Sequence, residues 1–186
     1  MQNYFELYHL PITFHPDQLQ VKGKFYELSR IYHPDRFAQT GGEELATALR
    51  MAAMNNDAYK TLRNPDATMA YILRLNNLLE DEEKYNLPPA FLMQMMDINE
   101  AISDYEAMPD NGDAHNRPAI VSAAIVSAVE LLNEQLELWN DATQLLIGRF
   151  DNGEKSQDLL LQVKDQYFRK KYLLRIKQRI DKFAAH

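Results

Sequence analysis

The sequence predicts an all-helical protein with two domains. Its 186 residues are enough for one or two domains, and 46% of them are hydrophobic, which is ample for a core. The chain has only six glycines and few runs of β-branched residues, a composition that argues against sheets. Apolar residues recur at spacings of three and four along most of the sequence, as in helices with one buried face.

The composition also excludes several classes of protein. Because there is no cysteine, disulfides, thiolate metal sites and a cysteine nucleophile are excluded. The net charge of −7 disfavours binding to nucleic acid, which needs clustered cations. No apolar run approaches the roughly 20 residues that cross a bilayer, and the segment Met1–Glu6 lacks the parts of a signal peptide. We therefore expect a soluble cytoplasmic protein with no membrane or nucleic-acid partner.

The first two helices are predicted from their ends. A short helix over residues 3–10 closes before Pro11. The second helix is predicted over residues 17–32, with Asp17 as its N-cap. Its apolar positions follow at spacings of four, three and four and share one face: Val21, Phe25, Leu28 and Tyr32.

The tripeptide His-Pro-Asp occurs twice, on either side of this second helix. In the first copy, His15–Asp17, the aspartate suits a helix start. In the second copy, His33–Asp35, Pro34 disfavours helical geometry at His33, so the helix should end just before it. Only the second copy can lie at the tip of a loop, residues 33–42, between two packed helices. Such exposed loops on a fixed scaffold often carry binding residues.

Two further helices complete the first predicted domain, residues 1–79. The third helix is predicted over residues 43–63, with Asn56 on or near its inner face, where a buried amide needs partners. That face is predicted to use Leu45, Leu49, Ala52 and Tyr59. The segment Asn64–Asp66 stops this helix and starts a fourth, over residues 67–79. A charge run then opens a linker over residues 80–88.

The second predicted domain, residues 89–186, begins with a helix over Pro89–Met108 that has two different faces. One face is an apolar seam at helical spacing: Phe91, Met95, Ile98, Ile102 and Tyr105. The other side collects sulfur, apolar and acidic side chains: Leu92, Met93, Met96, Asp97, Glu100 and Asp104. Grouped exposed apolar residues indicate a partner surface, and methionine adapts well to such surfaces. The alternative is a helix buried on two sides of a larger bundle.

Two long helices follow and predict an antiparallel three-helix bundle. A turn over Met108–Asp113 and Pro118 precede the first of them, which ends near Phe150 at Asp151–Gly153. Its apolar face is Val121, Ile125, Ala128, Leu132, Trp139 and Leu146. The last helix is predicted over residues 156–183, and its apolar positions drift around it: Leu160, Val163, Tyr167, Leu174, Ile176, Ile180 and Phe183.

No catalytic or metal-binding motif is visible. The five histidines lie in different segments, and no pair has the spacing of a helical zinc site. A phosphate-binding glycine loop and a nucleophile elbow are both absent. His33 and Asp35 have no accompanying nucleophile. We therefore predict neither an enzyme nor a bound cofactor or metal.

Several motifs carry a resemblance to a known family. The order of short helix, helix, His-Pro-Asp loop and helix resembles the J-domain, the module that docks on seventy-kilodalton chaperones. More specifically, three stretches resemble the HscB family of J-type co-chaperones: Phe25-x-x-Leu28-x-Arg30-x-Tyr32-His33-Pro34-Asp35-Arg36-Phe37, Tyr59-x-x-Leu62-Arg63-x-Pro65 and Ala70-Tyr71-x-Leu73. One departure from general J-domains is that the second helix is poor in cations and spreads them over different sides.

The resemblance implies two sets of binding residues. Residues that would bind a HscA/DnaK-type chaperone are His33, Pro34, Asp35, Arg36 and Arg30. Residues that would bind an iron–sulfur scaffold protein of the IscU type match the family's helix: Leu92, Met93, Met96, Asp97, Glu100 and Asp104. Phe168 in the last helix is a further implied contact, with a core aromatic as the alternative.

The hypothesis is thus a co-chaperone with two binding surfaces on one elbow-shaped frame. It would stimulate the ATPase of the chaperone, deliver the scaffold protein to it, and so aid cluster maturation and transfer. Two other classes stay open. One is a J-domain adaptor for a different client, and the other is a non-catalytic helical interaction protein in which the tripeptide is accidental.

Overall fold

The structure is a computed structural model that describes residues 2–37, 42–107 and 119–184, with backbone alone at 119–122 and 183–184. The described residues contain helices and no strand. The chain divides into two compact units. The first comprises Met1–Glu80 and Phe150–Glu154, and the second comprises Asp81–Arg149 and Lys155–His186. The predictions outside the described residues concern residues 38–41 of the predicted loop, the turn Met108–Asp113, Pro118, and the side chains of Val121 and Phe183.

The first unit has the predicted order of helices. They are α1 (Tyr4–Leu7), α2 (Gln18–Ile31), a 3₁₀ helix (Pro34–Phe37), α3 (Gly42–Leu62) and α4 (Pro65–Leu75). Asp17 caps α2, since its Oδ1 accepts from the N–H groups of Leu19 and Gln20 at 2.8 and 3.3 Å. Asn64 caps α4 in the same way. Helix α4 ends at Leu75 rather than residue 79, because Asn76 caps it and Asn77 takes a positive φ of 55°.

The inner face of α3 differs from the predicted one. The buried residues are Ala48, Asn55, Ala58 and Leu62, whereas Leu49 is 49% exposed. Asn56 is exposed, so its predicted place on or near the inner face was wrong, and the buried amide is that of Asn55. Ala48 and Ala58 on this face let α3 lie close to its neighbours, and Leu45 and Leu49 are left partly or largely exposed. A search for large apolar residues therefore selects the wrong register.

Asn55 joins three helices through its side chain. Its Oδ1 accepts from the Tyr8 hydroxyl at 2.8 Å. Its Nδ2 donates to the Phe25 carbonyl and to Ser29 Oγ, both at 3.0 Å. Burial raises the pKa of the Tyr8 phenol, which keeps the hydroxyl protonated as a donor. Phe25 also stacks on Tyr59 with ring centroids 4.2 Å apart, so polar and aromatic contacts together fix α2 against α3.

The second unit is a three-helix bundle in which α5 and α6 together take the place of the first helix. Its helices are α5 (Pro89–Gln94), α6 (Met96–Glu106), α7 (Ala119–Asp151) and α8 (Gln157–Ala184). Phe91 packs on Tyr172 and Glu106 pairs with Arg179, so α5 and α6 run in the same direction as α8. Helix α7, which lies between α6 and α8 in the sequence, runs in the opposite direction. The core is Phe91, Met95, Ile98, Ile102, Ala128, Leu132, Leu173, Ile176 and Ile180.

Two details of this bundle differ from the predictions. The helix predicted over Pro89–Met108 is divided at Met95, whose N–H bonds to the Leu92 carbonyl three residues back. In α8, Leu173 is fully buried while the predicted Leu174 is 36% exposed. Because the apolar positions drift around this long helix, the sequence does not indicate which of two adjacent leucines faces the core.

The segment predicted as a linker packs against α8. Tyr85 donates to Asp165 at 3.0 Å and stacks on Phe168 with centroids 4.4 Å apart. Burial, with the hydrogen bond to the Asp165 carboxylate as a second cause, raises the pKa of Tyr85 to about 12. Residues 81–88 therefore belong to the second unit, and the predicted domain division at 80–88 differs from the observed one there. It differs again at Phe150–Glu154, which groups with the first unit.

Candidate partner-binding sites

The second His-Pro-Asp copy forms an exposed turn directly after α2. Tyr32 caps α2, and Pro34 opens the 3₁₀ helix. The side chains of His33 and Asp35 are 57% and 90% exposed. The Asp35 N–H donates to His33 Nδ1 at 3.3 Å, and the Arg36 N–H donates to the His33 carbonyl at 3.0 Å. We call residues His33–Asp35 the HPD turn.

These bonds define what the HPD turn can offer to a partner. Because Nδ1 of His33 accepts a backbone bond, the neutral ring carries its proton on Nε2 as a donor. The Asp35 carboxylate, 3.7 Å from Nδ1, is an acceptor beside it. Pro34 restricts the backbone between them. The turn thus holds one donor and one acceptor on a short, constrained backbone.

Arg36 and Arg30 are connected to the HPD turn through the backbone. The Arg36 guanidinium donates to the Arg30 carbonyl at 2.8 Å, which ties the turn to the last turn of α2. Both side chains belong to exposed residues. The structure therefore brings together the five residues implied to bind a chaperone.

The first His-Pro-Asp copy has a different environment. Asp17 is the N-cap of α2, and backbone bonds, first from Gln20 and also from Leu19, hold the pKa of its carboxyl below the usual value. His15 Nδ1 lies 3.6 Å from Asp151 Oδ2, within the same compact unit. This copy starts a helix and contacts a neighbouring loop, so it provides a natural comparison for the HPD turn.

The second candidate site is the outer side of α5 and α6. Its apolar members Leu92, Met93 and Met96 are 39%, 70% and 60% exposed. The acids Asp97, Glu100 and Asp104 are also exposed. We call these six residues the α5–α6 face. The predicted two-sided character is confirmed, because the opposite residues Met95, Ile98 and Ile102 are all 0% exposed.

The charge of the α5–α6 face has one sign. Helices α5 and α6 contain no Lys or Arg, and their ionisable residues other than Tyr105 are acids. An apolar centre with acids along one side fits a partner surface that is apolar and bordered by cations. The spacing of the acids at 97, 100 and 104 keeps them on one line of the helix.

Two asparagines that the sequence analysis did not assign to a site form hydrogen bonds between the helices that carry these surfaces. Asn55 joins the end of α1 to α2 and α3, and its bond to Ser29 Oγ lies four residues before His33. Asn99 donates to the Met95 carbonyl at 2.7 Å and to the Tyr172 hydroxyl at 3.0 Å, which fixes α6 on α8. The available signal was an amide at the edge of an apolar seam, a position that requires buried partners.

Phe168 lies apart from these exposed positions. It is 8% exposed and is stacked on Tyr85. A buried, stacked ring fits the core-aromatic alternative that the sequence left open. We therefore do not include it in the α5–α6 face.

Neither a metal site nor a membrane-spanning helix is found in the described part of the chain. Within it, no group of three or more histidines and acids is placed to hold a metal ion. No helix among the described residues has the length and apolar character needed to cross a membrane.

Comparisons with known proteins agree with the features described above. Residues 87–181 match a family model described as the HSCB C-terminal oligomerisation domain. A protein of Aliivibrio salmonicida named Co-chaperone protein HscB homolog is 35% identical over 146 residues, which cover 76% of this chain and 85% of that protein. A protein of the same name from Vibrio cholerae serotype O1 is 37% identical over 109 residues, or 58% of this chain and 64% of that protein.

Solved structures extend the similarity to almost the whole chain. The structure titled Chaperone HscB from Vibrio cholerae aligns with a TM-score of 0.64 at 28% identity, covering 97% of this chain and 96% of that one. The human co-chaperone protein HscB aligns with a TM-score of 0.68 at 24% identity, covering 97% and 81%. The human likeness is one of fold alone.

Proposed function

Because this chain belongs to the HscB family of co-chaperones, we propose that it stimulates ATP hydrolysis by a DnaK/HscA-type chaperone and brings an IscU-type iron–sulfur scaffold protein to it. The chain is then a regulator of a partner ATPase and carries no catalytic residue of its own. The chaperone binds the HPD turn, and the scaffold binds the α5–α6 face.

The HPD turn suits a contact that depends on one conformation of the chaperone. A binder shifts a partner's equilibrium only by its difference in affinity for the two states. The donor on His33 and the acceptor on Asp35 are held close together, so both bond only to a partner whose own groups stand at matching positions. We infer that the ATPase-competent state of the chaperone presents those groups.

The α5–α6 face suits a stable grip on a folded protein. Leu92, Met93 and Met96 supply apolar surface whose removal from water favours binding by about 25 cal/mol per Å². The three acids steer a partner with cations and fix its orientation.

Holding both partners on one chain raises their effective concentration for each other. The scaffold is thereby presented to the chaperone while the HPD turn promotes hydrolysis. Transfer of the cluster to acceptors would follow from the change that the chaperone then makes in the scaffold. The cluster is cargo of the scaffold in this scheme.

The observation that carries the proposal is the joint exposure of two methionines and three acids on helices whose other side is fully buried. A solvent-facing helix has no need of Leu92, Met93 and Met96 together, and a grouped apolar surface marks an interaction site.

The proposal is tested with purified partners. We expect the protein to raise ATP turnover by a HscA-type chaperone and to bind a IscU-type scaffold in a calorimetric titration. Stimulation without scaffold binding would instead support the adaptor for a different client. Absence of both effects would leave only a helical interaction protein.

A further inference from the structure

We propose that Met93 and Met96 form a reversible redox switch, in which oxidation of both thioethers by hydrogen peroxide releases the scaffold protein. This inference rests on the proposed function of the α5–α6 face. It adds a modification site to that face and a condition under which delivery of the scaffold stops.

The exposure of the methionines selects these two positions. Met93 and Met96 are 70% and 60% exposed, whereas Met95 between them is 0% exposed and Met69 is 4% exposed. Met51 and Met54 on α3 are half-buried. Since oxidation of methionine follows access to the sulfur, Met93 and Met96 should react before the other four methionines among the described residues. No cysteine competes for the oxidant on this chain.

The reaction needs only the peroxide. A lone pair of the thioether sulfur attacks one peroxide oxygen, the O–O bond breaks, and an S–O bond forms. The sulfur is oxidised by two electrons, the peroxide is reduced, and one water molecule leaves. Sulfoxide reductases of the two stereochemical classes reverse the change.

The surroundings of the two sulfurs make the product unfavourable at an interface. A sulfoxide oxygen is polar and accepts hydrogen bonds, so covering it without a donor costs free energy. Helices α5 and α6 contain no Lys or Arg that could pair with it, and the neighbouring carboxylate of Asp97 is itself an acceptor. The flexible apolar character that makes methionine suitable for binding is lost at the same step.

The switch should act on the free protein rather than on the complex. A bound scaffold covers Met93 and Met96, so the complex should be oxidised more slowly than the free protein. Protein oxidised while free should then be kept out of the delivery cycle until it is reduced.

The test uses the full chain and keeps the oxidant away from the scaffold. The protein is treated with hydrogen peroxide, catalase removes the excess, and peptide mass spectrometry locates added oxygen. Scaffold affinity is then measured by calorimetry, with circular dichroism to check that the helices are intact. We expect oxygen first on Met93 and Met96, and an affinity loss of roughly tenfold or more that both reductases together restore.

Two variants separate this role from general damage. The Met93→Leu/Met96→Leu variant is compared with its own affinity before treatment, which peroxide should leave unchanged. The Met51→Leu/Met54→Leu variant, altered on α3, should remain as sensitive as the parent protein.

The outcomes distinguish the switch from the function on which it rests. If the untreated protein does not bind the scaffold, the proposed function and the switch fail together. If the untreated protein binds and the protein oxidised at Met93 and Met96 binds equally well, the switch is wrong and the proposed function stands. Oxidation of Met95 or Met69 before these two would also overturn it.

Discussion

The HPD turn and the α5–α6 face are both exposed, but they are built in opposite ways. The turn is three residues whose shape is set by backbone bonds to His33 and by Pro34. The face is six exposed side chains spread over two helices. Recognition at the turn therefore depends on a few fixed atoms, whereas recognition at the face depends on area and charge.

This difference has a consequence for substitutions. One changed side chain at the turn removes a bond that nothing nearby replaces. A single change in the face leaves the other apolar side chains in place, so several must be removed before binding is lost. At many interfaces a few residues contribute most of the binding energy. We expect this to hold strongly for the HPD turn and less strongly for the α5–α6 face.

The largest expected effect is at the turn. His33→Gln should reduce stimulation of the chaperone ATPase by at least about tenfold, because the Nε2 donor and its fixed position are lost. The measurement is steady-state ATP turnover at a fixed concentration of chaperone. His15→Gln, in the other copy of the tripeptide, is the matched control and should stimulate like the parent. Equal activity of both variants would remove the HPD turn from the account.

The next effect sharpens the contrast at the face. Changing Leu92, Met93 and Met96 together to Ala should weaken scaffold binding by roughly a hundredfold, as apolar contacts are lost. A titration against the scaffold measures this. The control is the alanine triple of Leu131, Leu138 and Leu145, which are 37%, 55% and 72% exposed on α7. A loss of the same size in the control would show that exposed apolar area in general, and not this face, holds the scaffold.

The frame beneath the turn gives a third test. Asn55→Ala should lower the free energy of unfolding by about 2 to 3 kcal/mol, since the Phe25 carbonyl and Ser29 Oγ lose a donor and the Tyr8 hydroxyl keeps only the Asn55 carbonyl as acceptor. Chemical denaturation measures the change. The exposed neighbour supplies the control, and Asn56→Ala should stay within about 0.5 kcal/mol. The reverse order would mean that α3 packs in the register first predicted from the sequence.

The smallest effect concerns the support of the face. A hydrogen bond from Arg179, 2.7 Å from a Glu106 oxygen, holds the pKa of that carboxyl below its ordinary 4.5. A lowered folded-state pKa contributes stability above the unfolded value, and this is lost as pH falls through the folded value. The unfolding midpoint of the parent should therefore fall as the pH is lowered through that acidic range. The midpoint of Glu106→Gln should fall less over the same range. An identical acid profile would show that the pair contributes nothing.

The sequence predicted elements best where side chains mark their own position. Asp17 and Asn64 cap helices as expected, and the seam Phe91, Met95, Ile98 and Ile102 is buried. The exposed residues of the α5–α6 face follow directly, because one buried stripe determines what lies opposite. The chaperone-binding residues, including Arg30 and Arg36, came instead from the family resemblance.

The remaining features depend on contacts between helices. Ala48 and Ala58 are buried because α3 approaches its neighbours closely, which no scale of hydrophobicity predicts. Whether Leu173 or Leu174 faces the core depends on how α8 lies in the bundle. The division at Met95 comes from a hydrogen bond choice that leaves no mark in the amino-acid pattern.

The central claim is that both surfaces must act from one chain. It is tested most directly by chaperone ATP turnover at limiting scaffold concentration, with parent protein or an equal mixture of His33→Gln and the Leu92/Met93/Met96 alanine triple. With the parent protein, ATP turnover in the presence of scaffold should exceed the sum of the stimulation by the protein alone and by the scaffold alone. The mixture should give no more than that sum, because only the parent holds both partners on one chain. A mixture that equals the parent would contradict the account.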